Sequence, residues 1–231
     1  MKTGVPTLLS FNGGYADTAG YLALQGLFTS HVTGNFVTLG AALALGTSGI
    51  VAKLLALPVF CIVIVLTRLA SFTIVPRSWP AFETLLSVQV ALLLVGAALA
   101  IGLGPFLNGD SWPAIVTGMT LVSAMAIQNA VQRIHLGSSP PTTIMTGTTT
   151  QIMIDIADLM HGLSPEARDA ARARLRRMSI AVASFAAGAA IAALLFTKIA
   201  NWCFALPPVV ALLARISAGS ATPAAVAATG S

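Results

Sequence analysis

Two stretches of this chain, 8–46 and 112–160, are each longer than one membrane crossing needs, and each is interrupted near its middle by a Thr-Gly pair. About twenty helical residues, or about 30 Å, cover the hydrocarbon core. Backbone that leaves the helix at that depth must find partners within the protein, because lipid offers none. The first interruption reads His31-Val32-Thr33-Gly34-Asn35, and the second Thr142-Thr143-Ile144-Met145-Thr146-Gly147-Thr148. Asp17 precedes the first and Asn129 the second at nearly the same spacing. Interrupted hydrophobic segments at corresponding places in two halves point to a transporter binding site.

Composition removes the alternatives. The chain has 231 residues, of which 56% are hydrophobic and only 8% charged, against about 25% charged in a soluble domain. It cannot dress a water-facing surface. Its apolar runs are continuous rather than alternating, which excludes a barrel and leaves a polytopic helical membrane protein. The start, one lysine and a brief apolar run before Asn12-Gly13-Gly14, lacks the pattern of a cleaved signal peptide. The net charge of +5 is concentrated in one loop, so it speaks to orientation in the membrane and not to nucleic acid. Cys61 and Cys203 have no metal-ligand spacing and read as small apolar fillers.

Spans are expected at 54–75, 84–103, 179–198 and 202–216. Counting each interrupted segment as one crossing gives six, and counting each as two gives eight. The basic residues decide. Arg168, Arg172, Arg174, Arg176 and Arg177 make the 164–178 loop cytoplasmic, and Arg68 and Arg77 ask the same of 68–83. Six crossings satisfy both, with both termini inside and only Lys53 and Lys198 among the basic residues outside. Eight crossings put the two loops on opposite sides. The expected fold is therefore all-α, with about six net crossings in two halves, 1–106 and 107–216. Three crossings separate the copies, so the second is inverted relative to the first. Residues 165–177 should form a basic interfacial helix that meets anionic lipid headgroups. The uncharged 217–231 tail should be disordered.

The pattern Gly14-x-x-Asp17, Thr33-Gly34-Asn35, Met125-x-x-Gln128-Asn129-Ala130 and Thr143-x-x-Thr146-Gly147-Thr148 resembles the YoaK-like family of uncharacterised bacterial inner-membrane proteins. The likeness covers roughly 13–216. It implies an inner-membrane protein of about six spans and supplies no substrate. One departure is the short stretch before Gly13.

Several residues could carry chemistry. Asp17 is the only acid in the first apolar segment; it could carry a proton, bind a cation, partner a basic residue, or merely cap a helix at the interface. Thr33-Gly34-Asn35 and Thr146-Gly147-Thr148 read as helix starts inside the membrane, whose free N–H groups could cradle an anion or carboxylate. The competing reading is that the glycines allow tight helix packing. Secondary candidates are His31, Gln128, Arg133 and Asp155. Ser184, Gly188 and Ala192 recur every four residues and suit close helix contact or dimerisation.

There is no paired-carboxylate spacing, zinc motif, nucleophile elbow or phosphate loop, so neither catalysis nor a cofactor or metal is expected. The expected function is a small transporter or channel for an unidentified solute, proton-coupled or anion-binding, with its site between the Thr-Gly breaks. A homodimer is one way to enlarge so small a cavity. The alternative is a non-transporting assembly or sensory protein in which these motifs serve packing.

Overall fold

The computed structural model describes residues 4–73 and 81–219, and every regular element among them is helical. The first half is α1 (Gly4–Ala23), α2 (Gly34–Leu45), α3 (Ile50–Thr73) and α4 (Ala81–Leu103). The second is α5 (Trp112–His135), α6 (Met145–His161), α7 (Pro165–Ile199), a 3-10 turn (Ala200–Ala205) and α8 (Leu206–Gly219). Arg77 lies outside the described residues, as does the tail from 220 onward. Both interrupted segments are thus helix, irregular connection, helix. The short helix after each break does not pack along the helix before it: α2 lies on α3, and α6 on α7.

Four stretches are long and apolar enough to cross a membrane: Ile50–Phe72, Ala81–Leu103, Trp112–His135 and Pro165–Gly219. The first helix is absent from that set because Asn12, Gly13, Gly14, Tyr15 and Asp17 interrupt its apolar run. All five are buried. A helix wrapped by other helices meets protein rather than lipid and has no need of an apolar surface. α1 is wrapped in this way by α5, α7 and α8.

Close approach of α1 and α7 depends on two glycines. A Cβ on Gly14 would fall onto the Phe185 carbonyl, and one on Gly188 onto the Phe11 carbonyl. Gly188 and Ala192 of the small-residue stripe are buried, so that stripe serves helix contact within the chain. Around this crossing Tyr15, Leu24, Leu27, Leu121, Met125 and Phe204 form the main core. Tyr15 Oη donates to the Cys203 carbonyl at 2.7 Å, tying α1 to the turn before α8.

The packing repeats itself when the halves are exchanged. α1 packs on α7 and α8, while α5 packs on their counterparts α3 and α4. The pair α2–α3 corresponds to α6–α7, and the contacts α1–α5 and α4–α8 map onto themselves.

One boundary differs from expectation. The basic segment 165–177 and the following span are a single helix, α7, because neither Gly nor Pro separates them and Ala and Arg both favour helix. Pro165 opens it, and Ser164 Oγ accepts from the Ala167 N–H at 3.4 Å. At 35 residues it is about 52 Å long, well beyond the hydrocarbon thickness, so one end must project.

Candidate functional site

The first break is organised around Asp17. Its Oδ1 accepts from the backbone N–H groups of Thr29 at 2.8 Å, Ser30 at 2.7 Å and His31 at 3.2 Å, and the His31 N–H also reaches Oδ2 at 3.2 Å. The carboxylate is 4% exposed. Charge-assisted bonds of this kind offset the desolvation of a buried anion. Asn35 completes the loop: its Oδ1 accepts from Phe28 N and its Nδ2 donates to Phe28 O, at 2.9 and 2.8 Å.

The N–H donors that could have cradled an outside anion are therefore already engaged. Asp17 takes those of 29–31, and the N–H groups of Gly34, Asn35 and Phe36 bond back to His31, Val32 and Thr33. Thr33 stands at the N-cap position with helical backbone angles, and its side chain makes no capping bond. His31 is exposed and its ring lies against Phe28.

The second break is held by neutral side chains, and there a hydroxyl rather than backbone amides meets the residue that matches Asp17. Thr143 Oγ1 donates to Asn129 Oδ1 at 2.6 Å, and Asn129 Nδ2 donates to the Met125 carbonyl. Next to it, Gln128 Nε2 donates to Leu9 O at 2.8 Å and to Thr142 Oγ1 at 3.3 Å. Its Oε1 accepts from Gln89 Nε2 at 2.8 Å and Asn12 Nδ2 at 3.2 Å. Asn12 Oδ1, Gln89 Oε1 and the Ser10 hydroxyl are buried without a hydrogen-bond partner.

The two breaks converge on Gly13, halfway along α1. Ser30 Oγ donates to the Gly13 carbonyl at 3.4 Å, while a Cβ on Gly13 would stand 2.6 Å from Thr142 O. A buried polar belt thus runs from Asp17 through Ser30, Gly13 and Thr142–Thr143 to Gln128, Asn12 and Gln89. The residues that meet are those just ahead of the Thr-Gly pairs. Thr33, Thr146 and Gly147 are exposed, Gly147 has open space around it, and Thr148 Oγ1 bonds back to Ile144 O.

Asp155 and Arg133 lie apart from the belt. Asp155 is buried on α6 and held by Arg174 of α7, whose Nε approaches Oδ2 at 2.9 Å; Gln151 Nε2 adds a bond at 2.8 Å. Arg133 lines a surface cleft with Arg174 and Arg177. Among the described residues no group of three or more His, Cys, Asp or Glu side chains could hold a metal. Asn12 and Gln89 were not singled out by sequence. The usable signal was their position inside apolar helices, where an uncharged amide is nearly as conspicuous as an acid.

No curated protein and no solved structure matches the chain. A family model described as "Protein of unknown function (DUF1275)" matches residues 5–217. With nearly all of its length covered, and in keeping with its YoaK-like motifs, this helical chain with apolar helices of membrane-spanning length belongs to that family of unknown function.

Proposed function

We infer that this protein is a small secondary transporter or channel of six net crossings, built from two inverted halves in the bacterial inner membrane with both termini cytoplasmic. The observation that carries the reading is the meeting of both helix breaks at Gly13, next to the buried Asp17. Exchange-symmetric packing supports a twofold repeat, and an odd number of crossings between the copies turns the second upside down.

The unidentified solute crosses through the polar belt, and Asp17 is the coupling element. While ionised, Asp17 holds the 29–31 backbone in place. Taking up a proton weakens its acceptor oxygens and frees that segment to move. The second break, with neutral Asn129 in the matching position, has no such control. Proton coupling fits this arrangement better than anion binding at the first break, where the protein's own carboxylate occupies the cradle. The projecting basic end of α7 contacts anionic headgroups, and a homodimer remains compatible with the exposed apolar helix faces.

The rival reading is a membrane assembly or sensory protein in which the belt only holds the breaks, and the near-complete burial of the belt favours it. Pyranine-loaded proteoliposomes separate the two. Across a panel of cationic, neutral and anionic solutes added outside under an imposed potential, at least one should move protons with the wild-type chain and not with Asp17→Asn, and the comparison is made over the whole panel. Equal traces from both variants and from empty liposomes contradict the transporter reading.

A further inference from the structure

A second site lies away from the belt, at the end of α5. There a cleft of about 340 Å³ opens between Arg133 of α5, Ser138 and Ser139 of the connection, and Arg174 and Arg177 of α7. Gln132 Nε2 donates to the carbonyls of Ser139 and Pro140 at 3.2 and 3.4 Å, which fixes the connection that bears the serines. Arg174 is bound on one side to Asp155, through Nε and one Nη. Neither Arg133 nor Arg177 pairs with a carboxylate among the described residues. Three guanidinium groups against Asp155 leave two positive charges in excess. Asp158 acts on Arg174 as well but does not line the cleft.

Guanidinium forks match the tetrahedral oxygens of phosphate, and serine hydroxyls can donate to the same oxygens. Basic pockets between membrane helices at the cytoplasmic side suit phosphate-bearing headgroups. We propose that this cleft binds a phosphoryl group, either that of an anionic phospholipid or free phosphate. The connection that forms its wall leads directly into Thr142 and Thr143, so an occupied cleft braces the second break. This rests on the reading of the chain as a membrane protein, and not on its conducting anything.

The test uses the full chain purified in detergent. Native mass spectrometry is run with phosphatidylglycerol and with phosphatidylcholine. Thermal unfolding is measured in phosphate and in chloride at equal ionic strength. Arg133→Gln/Arg177→Gln removes the unpaired cleft charges and leaves the Arg174–Asp155 pair. Lys198→Gln removes an exposed positive charge at the far end of α7, away from both the cleft and the 165–177 segment, as a control, and Arg177→Gln alone serves if the double variant unfolds.

Phosphatidylglycerol should be retained by the wild-type and control chains and held about tenfold more weakly by the cleft variant, with phosphatidylcholine retained by none. Stabilisation by phosphate without lipid retention, again lost in the cleft variant, identifies free phosphate as the source. Equal binding by the cleft variant, equal loss in the control variant, or no response to either probe overturns the proposal. A chain that conducts nothing can still pass this test, and a conducting chain can fail it.

Discussion

The Ser30 N–H donates to Asp17 Oδ1 at 2.7 Å across a break in the helical backbone, the shortest of the bonds by which one buried carboxylate holds three successive amides. Asp17→Asn keeps the volume and one acceptor oxygen but sets an NH₂ group where Oδ2 meets the His31 N–H. The variant should fold and lose about 1–3 kcal/mol of stability. Thermal unfolding in detergent measures it. An unchanged midpoint contradicts the role given to this carboxylate in holding the break.

The crossing of α1 over α7 leaves no room for a side chain at Gly188, whose neighbour is the Phe11 backbone rather than a side chain that can turn away. Gly188→Ala should cost about 1–3 kcal/mol or more, as overpacking against rigid backbone does. Gly147→Ala, in open space, is the comparison and should be tolerated. Equal midpoints for the two variants contradict the packing described for this crossing.

Asp110, in the loop before α5, accepts from the backbone N–H groups of Gly49, Ile50, Val51 and Ala52 at the start of α3. Burial works against its charged form, but the four donors outweigh it and hold the carboxyl below its usual range. A depressed pKa in the folded state means stability that is complete above the unfolded value of about 4 and is lost as pH falls through the folded value. Asp110→Asn should therefore cost about 1 kcal/mol at neutral pH, with the difference shrinking below about pH 4. A difference that grows in acid contradicts this sign.

Much of the fold was legible from the distribution of apolar residues and arginines. The long apolar runs mark α3, α4, α5 and the α7–α8 stretch, and the Thr-Gly pairs mark both breaks to within a few residues. The 8–46 segment reads as one crossing from its sequence, yet α1 alone falls short of a span by hydropathy, because a helix enclosed by protein is free to be polar. The continuity of α7 was hidden by a change of composition at Met178, which alters the surroundings of the helix and not its backbone.

The pairing of Asp17 and Asn129 with the breaks follows from their matched spacing. Which residues of each break face the other does not. That depends on how α2 and α6 lean on α3 and α7, a tertiary matter that local spacing does not encode. Gln89 joins the belt from a third helix, across a separation that no local motif could announce.

Water access to the belt tests the transporter reading most directly. Single cysteines at Ser30 and Thr143, in a background with Cys61→Ser and Cys203→Ala, would be exposed to a charged, membrane-impermeant thiol reagent. Labelling is followed in right-side-out and inside-out vesicles. Both positions are almost fully buried in this conformation, at 4% and 3% exposure. A path that opens should let each cysteine react from at least one side, at a rate that changes over about pH 5.5–8 and no longer does so once Asp17 is asparagine. Cysteines that resist labelling from both sides throughout that range, yet react fully once the protein is unfolded, would show a sealed packing element and contradict a conducting one.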